Sequence, residues 1–131
     1  MAKNRVLASF TPELVLETDE EKYQKKYNKM MDDLKAYTAT LVKSRVTTHQ
    51  IRNIFSGIIK AQKPLDLWKL QVNLAYIAGR NERNFELKDF TEHLSMIIRA
   101  VKTPEQLDLF KEFFKALVAY HKYNEKFGNR R

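Results

Sequence analysis

The stretch of residues 47–80 constrains the fold most, because it has the pattern of two helices joined at Pro64. In residues 47–63 the apolar side chains recur at helical spacing on one side; they are Ile51, Ile54, Phe55, Ile58 and Ile59. Residues 65–79 are apolar around most of the helix circumference, which is typical of a helix at the centre of a bundle. We therefore predict a buried central helix at 65–79, with Leu74 and Ile77 fully buried. Residues 47–63 would form its half-exposed, antiparallel partner.

Helical periodicity in the rest of the chain predicts three more helices, at residues 19–41, at residues 86–102 and from Pro104 to near Phe127. In the first of these, large apolar residues repeat at alternating steps of four and three; they are Tyr23, Tyr27, Met30, Leu34, Tyr37 and Leu41. Thr47 with Gln50, and Thr103 with Gln106, have the spacing of capping boxes. No strand pattern occurs, and the fold class predicted is all-α, a compact single-domain bundle of about five helices.

The chain of 131 residues suits one domain with an N-terminal arm and a short tail. Residues 1–18 contain two short apolar runs broken by Pro12 and show no helical period. They are predicted to be an extended arm that packs near Leu14 and frays at its start. Residues 19–127 would be the helical bundle, and residues 128–131 a basic tail.

Composition excludes several kinds of site and segment. The chain has no cysteine, so it can form neither a disulfide nor a thiolate metal site. It also has no long uncharged apolar run, so neither a transmembrane helix nor a signal peptide is predicted, and we expect the protein in the cytoplasm.

The pattern of titratable residues does not indicate an enzyme. The three histidines, His49, His93 and His121, lie on three different predicted helices and lack metal-ligand spacing. Pairs of adjacent carboxylates such as Asp32 and Asp33 point in different directions on a helix. The sequence contains neither a glycine-rich phosphate loop nor a nucleophile elbow. We predict no catalytic residue, no metal and no cofactor.

The net charge of +8 is concentrated in one segment of the chain. Residues 42–65 carry +5 without a single acidic residue, whereas residues 19–41 and 86–126 each sum to zero. Such a local excess is the electrostatic pattern of a protein that binds a polyanion. An antiparallel pair of helices would bring Arg52 and Arg80 to the same end, beside Lys43 and Arg45. Guanidinium and ammonium groups gathered in this way predict a phosphate-binding patch.

Three short motifs carry a resemblance to a known family. Residues 47–55 (TTHQIRNIF) are similar to its "TTSQIRN" segment, residues 74–80 (LAYIAGR) to its "LAYxAGR" segment, and residues 117–123 (LVAYHKY) to its "IVAYHKYY" segment. The family is the small subunit of the type III-A CRISPR–Cas effector, the Csm interference complex. The resemblance runs over about residues 23–127, and the three motifs together, in this order, are specific.

The resemblance implies a non-catalytic, all-helical subunit of an antiviral complex. Several copies would stack head to tail as a filament along the repeated backbone subunits that hold the guide RNA, with the large subunit as a further partner. The small subunits would help to bind the target RNA along the guide–target duplex. By position, the basic residues of the family fall on Lys43, Arg52, Arg80 and Lys122. Many members have Lys or Arg just before "LAY", where this chain has Gln71 and Asn73.

The predicted RNA-binding residues combine the patch and the resemblance. The basic residues considered also include Arg83, but the predicted RNA contacts are Lys43, Arg45, Arg52, Lys60, Lys63, Lys69, Arg80 and Lys122. We expect them to contact phosphates and sugars of target and guide RNA without reading bases, because the guide supplies the sequence information.

Two other functions fit the sequence less well. A free-standing helix-turn-helix DNA-binding protein would use residues 47–79, but its recognition helix would be too apolar to expose base-reading side chains. A structural adaptor would use the basic face to bind an acidic protein. Salt-dependent RNA binding that is indifferent to RNA sequence would separate both from the RNA-binding subunit.

Overall fold

The structure, a computed structural model, describes residues 4–128 and contains seven α-helices and no strand in that range. The helices are α1 (Arg5–Ser9), α2 (Pro12–Val15), α3 (Glu20–Lys43), α4 (Thr48–Lys60), α5 (Pro64–Arg80), α6 (Phe85–Ala100) and α7 (Pro104–Phe127). The predicted all-α class is confirmed, and the five predicted helices correspond to α3–α7. Within residues 4–128, no helix combines the length and the apolarity that crossing a membrane requires.

The predicted extended arm is wrong, because residues 5–15 form the two short helices α1 and α2. The Asn4 side chain caps α1, and the Thr11 side chain caps α2 by accepting a hydrogen bond from the Leu14 N–H at 3.2 Å. Both helices span about one turn, which is too short for an apolar repeat to show in the sequence. The predicted fraying concerns residues 1–3, and the predicted basic tail is mostly residues 129–131; both lie outside the described residues.

The arm also contributes side chains to the core of the bundle. Leu7, Phe10 and Val15 are buried, and the Phe10 ring packs edge-on against Tyr37 of α3 and Phe113 of α7. Edge-to-face aromatic pairs of this kind add to the free energy gained by burying the rings. Residues 4–18 and the five long helices therefore share one hydrophobic core.

Helices α6 and α7 are the most deeply buried, and α7 packs against both α3 and α4. The prediction that residues 65–79 form the central helix is wrong. Helix α5 buries one narrow stripe, Leu67, Leu74 and Ile77, while Val72 is 77% exposed and Tyr76 62%. Leu74 and Ile77 are buried as predicted, at 2% and 7% exposure. Apolar content does not by itself determine burial, because burial also needs a neighbouring element on every side. Helix α5 packs on α4, α6 and α7, but its face with Val72 and Tyr76 has no neighbouring element within residues 4–128.

Helices α4 and α5 are antiparallel, as predicted, because the first turn of α4 meets the end of α5. The Gln50 Nε2 donates a hydrogen bond to the Asn81 Oδ1 at 3.3 Å. Gly57 allows a close approach of the two helices, since a Cβ atom built there would lie 2.9 Å from the Leu70 Cδ2. The predicted capping box of Thr47 and Gln50 is confirmed in both of its hydrogen bonds.

The second predicted capping box, at the start of α7, forms only one of its two hydrogen bonds. The Thr103 hydroxyl oxygen accepts the Gln106 N–H at 3.1 Å, as predicted. The Gln106 Oε1, however, accepts the N–H of Lys102 at 2.8 Å, one residue before the cap. Thr103 still caps the helix, so α7 begins where the sequence predicted.

Candidate nucleic-acid interface

The turn after α3 places Arg45 in an unusual backbone conformation. Arg45 has a φ of +63°, the only non-glycine residue with positive φ among residues 4–128. Its N–H donates to the Val42 carbonyl at 3.1 Å, and the Val46 N–H donates to the Leu41 carbonyl at 3.0 Å. These two bonds define a Schellman motif, in which glycine usually occupies the left-handed position. The turn leaves Arg45 exposed and Val46 buried.

A buried histidine of α7, His121, forms a hydrogen bond that holds this turn against the core. The His121 Nε2 lies 2.7 Å from the Val46 carbonyl oxygen. A carbonyl can only accept, so Nε2 carries a proton and donates a hydrogen bond to the Val46 carbonyl. Its Nδ1 is buried with no hydrogen-bond partner in the described part of the chain. Burial is the main cause that lowers the pKa of His121, and the low pKa keeps the ring neutral.

The loop between α5 and α6 is fastened to the same turn. The Asn84 Nδ2 donates to the Ser44 carbonyl at 2.9 Å, while its Oδ1 accepts the Leu87 N–H and so caps α6. The Asn81 Nδ2 donates back to the Ile77 carbonyl at 2.8 Å. Two asparagines thus fix the loop at one end of the bundle, against the end of α3.

These two segments border a shallow cavity of about 720 Å³ that is wide open to solvent, and we call it the arginine cavity. It is lined by Ser44, Arg45, Arg80, Asn81, Glu82, Arg83, Asn84, Phe85 and Glu86. Its three arginines are exposed, and within residues 4–128 none of them makes an ion pair. Three cationic groups against two glutamates leave the lining positive, and the N-terminus of α6 adds further positive potential.

One of the two glutamates has a partner on α3. The Tyr37 Oη donates a hydrogen bond to the Glu86 Oε2 at 3.0 Å. Burial, and then the nearby Glu86 carboxylate, raise the pKa of Tyr37 far above its usual value, so the phenol keeps its proton. This bond joins α3 to the first turn of α6 and gives one Glu86 oxygen a partner inside the protein.

Arg80 lies between the arginine cavity and a smaller one. Its guanidinium carbon is 5.7 Å from the centroid of the Tyr76 ring, within cation–π range. The second cavity, of about 320 Å³, brings Arg80 together with His49, Gln50 and Asn53 of α4. Arg80 can therefore reach an anion from either side.

The structure brings part of the predicted RNA-binding set to one end of the bundle. Arg45 and Arg80 line the same cavity, and Lys43 is exposed at the last residue of α3. Arg52 is exposed in the first half of α4 at this end but lines neither cavity. We call Lys43, Arg45, Arg52, Arg80 and Arg83 the cationic end.

Lys122 lies near the cationic end, but it has an acidic partner. Its Nζ is 3.5 Å from the Glu125 Oε1. Glu125 in turn accepts a hydrogen bond from the Thr48 hydroxyl at the start of α4. This hydrogen bond, followed by Lys122, lowers the pKa of Glu125. An RNA phosphate at Lys122 would have to compete with that carboxylate.

The remaining three predicted contacts lie at the other end of the α4–α5 pair. Lys60 ends α4 and Lys63 precedes α5, so they lie about 18 Å along α4 from its first residue. Lys69 is exposed in the second turn of α5. The Gln62 N–H is the main cause that lowers the pKa of Asp66, and Lys63 and Lys69 add to it. The predicted basic residues therefore form two separate groups.

Two residues of the cavity with side chains suited to binding RNA were missed by the sequence prediction. Arg83 was counted as basic but was not selected, and Phe85 was not considered. Phe85 is 57% exposed at the first residue of α6, off the buried stripe of that helix. An aromatic residue outside the apolar repeat and next to an arginine-containing loop is the sequence signal that would have identified it.

Fold and site together define a small all-α bundle with a positively charged cavity at one end, as in proteins that bind polyanions. Over residues 24–126 the sequence matches the family described as Csm2 Type III-A, so the chain belongs to the Csm2 family. It is a small subunit of the type III-A CRISPR effector complex, as its three motifs indicated. No curated protein and no solved structure shows a significant match to the chain.

Proposed function

We propose that this subunit binds RNA within the effector complex, with the cationic end on the sugar–phosphate backbone of the target RNA along the guide–target duplex. The observation that carries the proposal is the arginine cavity, in which three arginines from two separate segments face one space. Each planar guanidinium group can donate two parallel hydrogen bonds to one phosphate. The matched family range includes the whole cavity.

The backbone of Arg45 supports a binding role for its side chain. The left-handed conformation is unfavourable by roughly 1–2 kcal/mol for a residue with a Cβ atom, and glycine would adopt it without that penalty. Strained residues are concentrated at functional sites, where the side chain is needed in one direction. Here the strain coincides with the cavity that contains Arg80 and Arg83.

The subunit would stack with further copies of itself, along the repeated backbone subunits and near the large subunit. Exposed apolar side chains on α5 support a contact with another protein chain. Leu65, Val72 and Tyr76 are 46%, 77% and 62% exposed. A row of such residues on one helix is typical of a surface that a partner covers.

We also propose that the subunit supplies no catalytic group. Two of the histidines have structural partners, since the His93 Nε2 lies 2.6 Å from the Phe10 carbonyl oxygen and His121 binds Val46. Only His49 is exposed. Within residues 4–128 no group of three metal-binding side chains occurs together.

The exposed face of α5 weakens one argument against the alternative function, a helix-turn-helix DNA-binding protein. Helix α5 was expected to be too apolar to read bases, yet Lys69, Asn73 and Tyr76 are all exposed. Family membership, rather than burial, now favours an RNA-binding subunit. Comparing the affinity for RNA and DNA duplexes of the same sequence would separate the two functions.

The test is RNA affinity measured at several salt concentrations, for the isolated subunit and for the assembled complex. In the double variant Arg80→Gln/Arg83→Gln, the log–log salt slope should flatten by about 0.7–0.9 for each phosphate that is no longer bound. The reduction in affinity should be the same for RNAs of unrelated sequence.

The double variant Lys22→Gln/Lys26→Gln offers a control that removes the same number of charges, since Lys22 is also exposed on α3. Lys26 is exposed on α3, about 27 Å along the helix from Ser44, and the double replacement should leave the slope unchanged. If the arginine double variant and the control have the same salt slope and RNA affinity, both as isolated subunits and in the assembled complex, the cationic end is not the RNA site.

A further inference from the structure

We propose that the arginine cavity is half of a site for one unpaired nucleotide, whose base stacks on Phe85. The phosphate would lie in the arginine cavity and the base in the groove between α5 and α6. This inference rests on the proposed RNA binding and adds that the RNA must be single-stranded at this point. It also predicts a contact to a base, in addition to the backbone contacts already proposed.

Phe85 and Glu82 line two neighbouring cavities, one of them positively charged and the other mainly apolar. The first is the arginine cavity. The second is a cavity of about 560 Å³ between α5 and α6, which we call the α5–α6 groove. Phe85 lines both, and it is 57% exposed at the first residue of α6. The Asn84 cap fixes this residue relative to the end of α3, so the ring is carried on a rigid support.

The α5–α6 groove is mainly apolar, although Glu82 and the ion pair of Lys88 with Glu92 also line it. The side of the groove formed by α5 consists mainly of small residues, Ala75, Ala78 and Gly79. A Cβ atom built at Gly79 would have no neighbour within 4 Å, so the space above this turn of α5 is open. Thr91 of α6 contributes a hydroxyl to the opposite side, and that hydroxyl is bonded to the Lys88 carbonyl at 2.9 Å.

A mainly apolar groove and a positively charged cavity that meet at one aromatic ring fit a ligand with one apolar and one anionic half. An unpaired nucleotide has both halves, and aromatic rings bind such bases by stacking. A base within a duplex is already stacked on its neighbours and cannot enter the groove. A duplex would use the arginines alone and would leave Phe85 and the groove without a ligand.

The experiment compares two probes of equal length, a single-stranded oligoadenylate and a fully paired RNA duplex, on the full chain. Phe85→Leu keeps most of the apolar volume but removes the aromatic face. It should weaken single-strand binding about tenfold, the range expected for one stacked base, with duplex affinity unchanged. Phe85→Trp should retain or improve single-strand binding. A 2-aminopurine base in the single strand should be quenched by wild type and less so by Phe85→Leu.

A second variant tests the groove without altering Phe85 or any charge. Gly79→Leu fills open space, so the fold should survive, and it should reduce single-strand binding selectively. Tyr27→Leu is the control, because Tyr27 is a 41% exposed aromatic residue about 25 Å along α3 from Ser44. Thermal unfolding of each variant confirms that it is folded.

The outcomes separate this inference from the proposed function. If Phe85→Leu and Gly79→Leu leave single-strand binding unchanged, or weaken both probes equally, the nucleotide site is refuted while RNA binding by the arginines stands. If these variants instead abolish self-association and leave RNA affinity intact, the groove is a protein interface and the inference is again refuted. If the wild-type chain binds neither probe, alone or in the complex, both proposals fail.

Discussion

Replacing Arg45 with glycine should make the protein more stable and its RNA binding weaker. The left-handed backbone at φ +63° is unfavourable by roughly 1–2 kcal/mol for arginine, and glycine removes this penalty. Glycine also increases the conformational freedom of the unfolded chain, which offsets about 0.5–1 kcal/mol of the gain. We expect a net stabilisation of about 0.5–1 kcal/mol, or about 2–4 °C in Tm for a chain of this length. The two hydrogen bonds of the turn are retained, because both are made by the backbone.

Arg45→Gly should also lose one contact between the protein and an RNA phosphate. Its log–log salt slope for RNA binding should flatten by about 0.7–0.9 relative to wild type. Arg45→Ala is the informative comparison, since alanine removes the charge but retains the unfavourable backbone conformation. It should bind RNA as weakly as Arg45→Gly and unfold at a lower temperature. Differential scanning calorimetry and fluorescence anisotropy with labelled RNA give the two readouts.

Two results would refute this reasoning. A lower Tm for Arg45→Gly than for Arg45→Ala would show that the backbone at this position is not strained. Wild-type RNA affinity in both variants, across the salt series and in the assembled complex, would show that the side chain binds no phosphate. The opposite signs of the two effects make the prediction demanding, because removal of a structurally important side chain would lower both stability and affinity.

Three further predictions concern the core and the histidines. Leu74→Ala should lower the free energy of unfolding by about 2–4 kcal/mol, and Val72→Ala on the same helix by far less; equal losses in urea denaturation would contradict the packing of α5. His49→Ala should leave target-RNA cleavage by the assembled complex intact, and loss of cleavage in a folded, assembled variant would contradict a non-catalytic subunit. Wild type should lose stability as pH falls below about 6.5, because the lowered pKa of His121 makes the unfolded chain bind more protons; His121→Gln should flatten this dependence, and parallel pH profiles of Tm would exclude His121 as the cause.

The sequence predicted the features that depend on neighbours in the chain. The apolar repeats of α3, α4, α6 and α7 identified these helices, and Thr47 and Thr103 marked two of their starts. The short linker at Pro64 was enough to predict the antiparallel pairing of α4 and α5. Each of these features follows from spacing, capping or loop length, which are local properties.

What the sequence did not reveal depends on contacts between distant segments. The central position assigned to α5 rested on its apolar composition, whereas in the structure α7 packs between α3 and α4, and α5 lies mainly against α6. The charge count along residues 42–65 grouped Lys60 and Lys63 with Arg45 in one basic segment, although the length of α4 separates them in space. Arg83 and Phe85 line the cavity because Asn84, which lies between them, binds the carbonyl of Ser44, forty positions earlier in the chain. This hydrogen bond holds the loop against the end of α3.

The absence of a side chain at Gly57 affects the cationic end, although Gly57 does not line the arginine cavity. A Cβ atom at this position would lie 2.9 Å from the Leu70 Cδ2, so a small side chain there would displace the flexible end of Leu70, and a larger one would also press on α5. Gly57 lies about 10 Å along α4 from Gln50, which holds the end of α5 through Asn81. A bulky residue at Gly57 would push α5 away from α4. We expect this displacement to reach the end of α5 and to increase the distance between Arg80 and Arg45. The width of the arginine cavity is therefore expected to depend on a residue that does not line it.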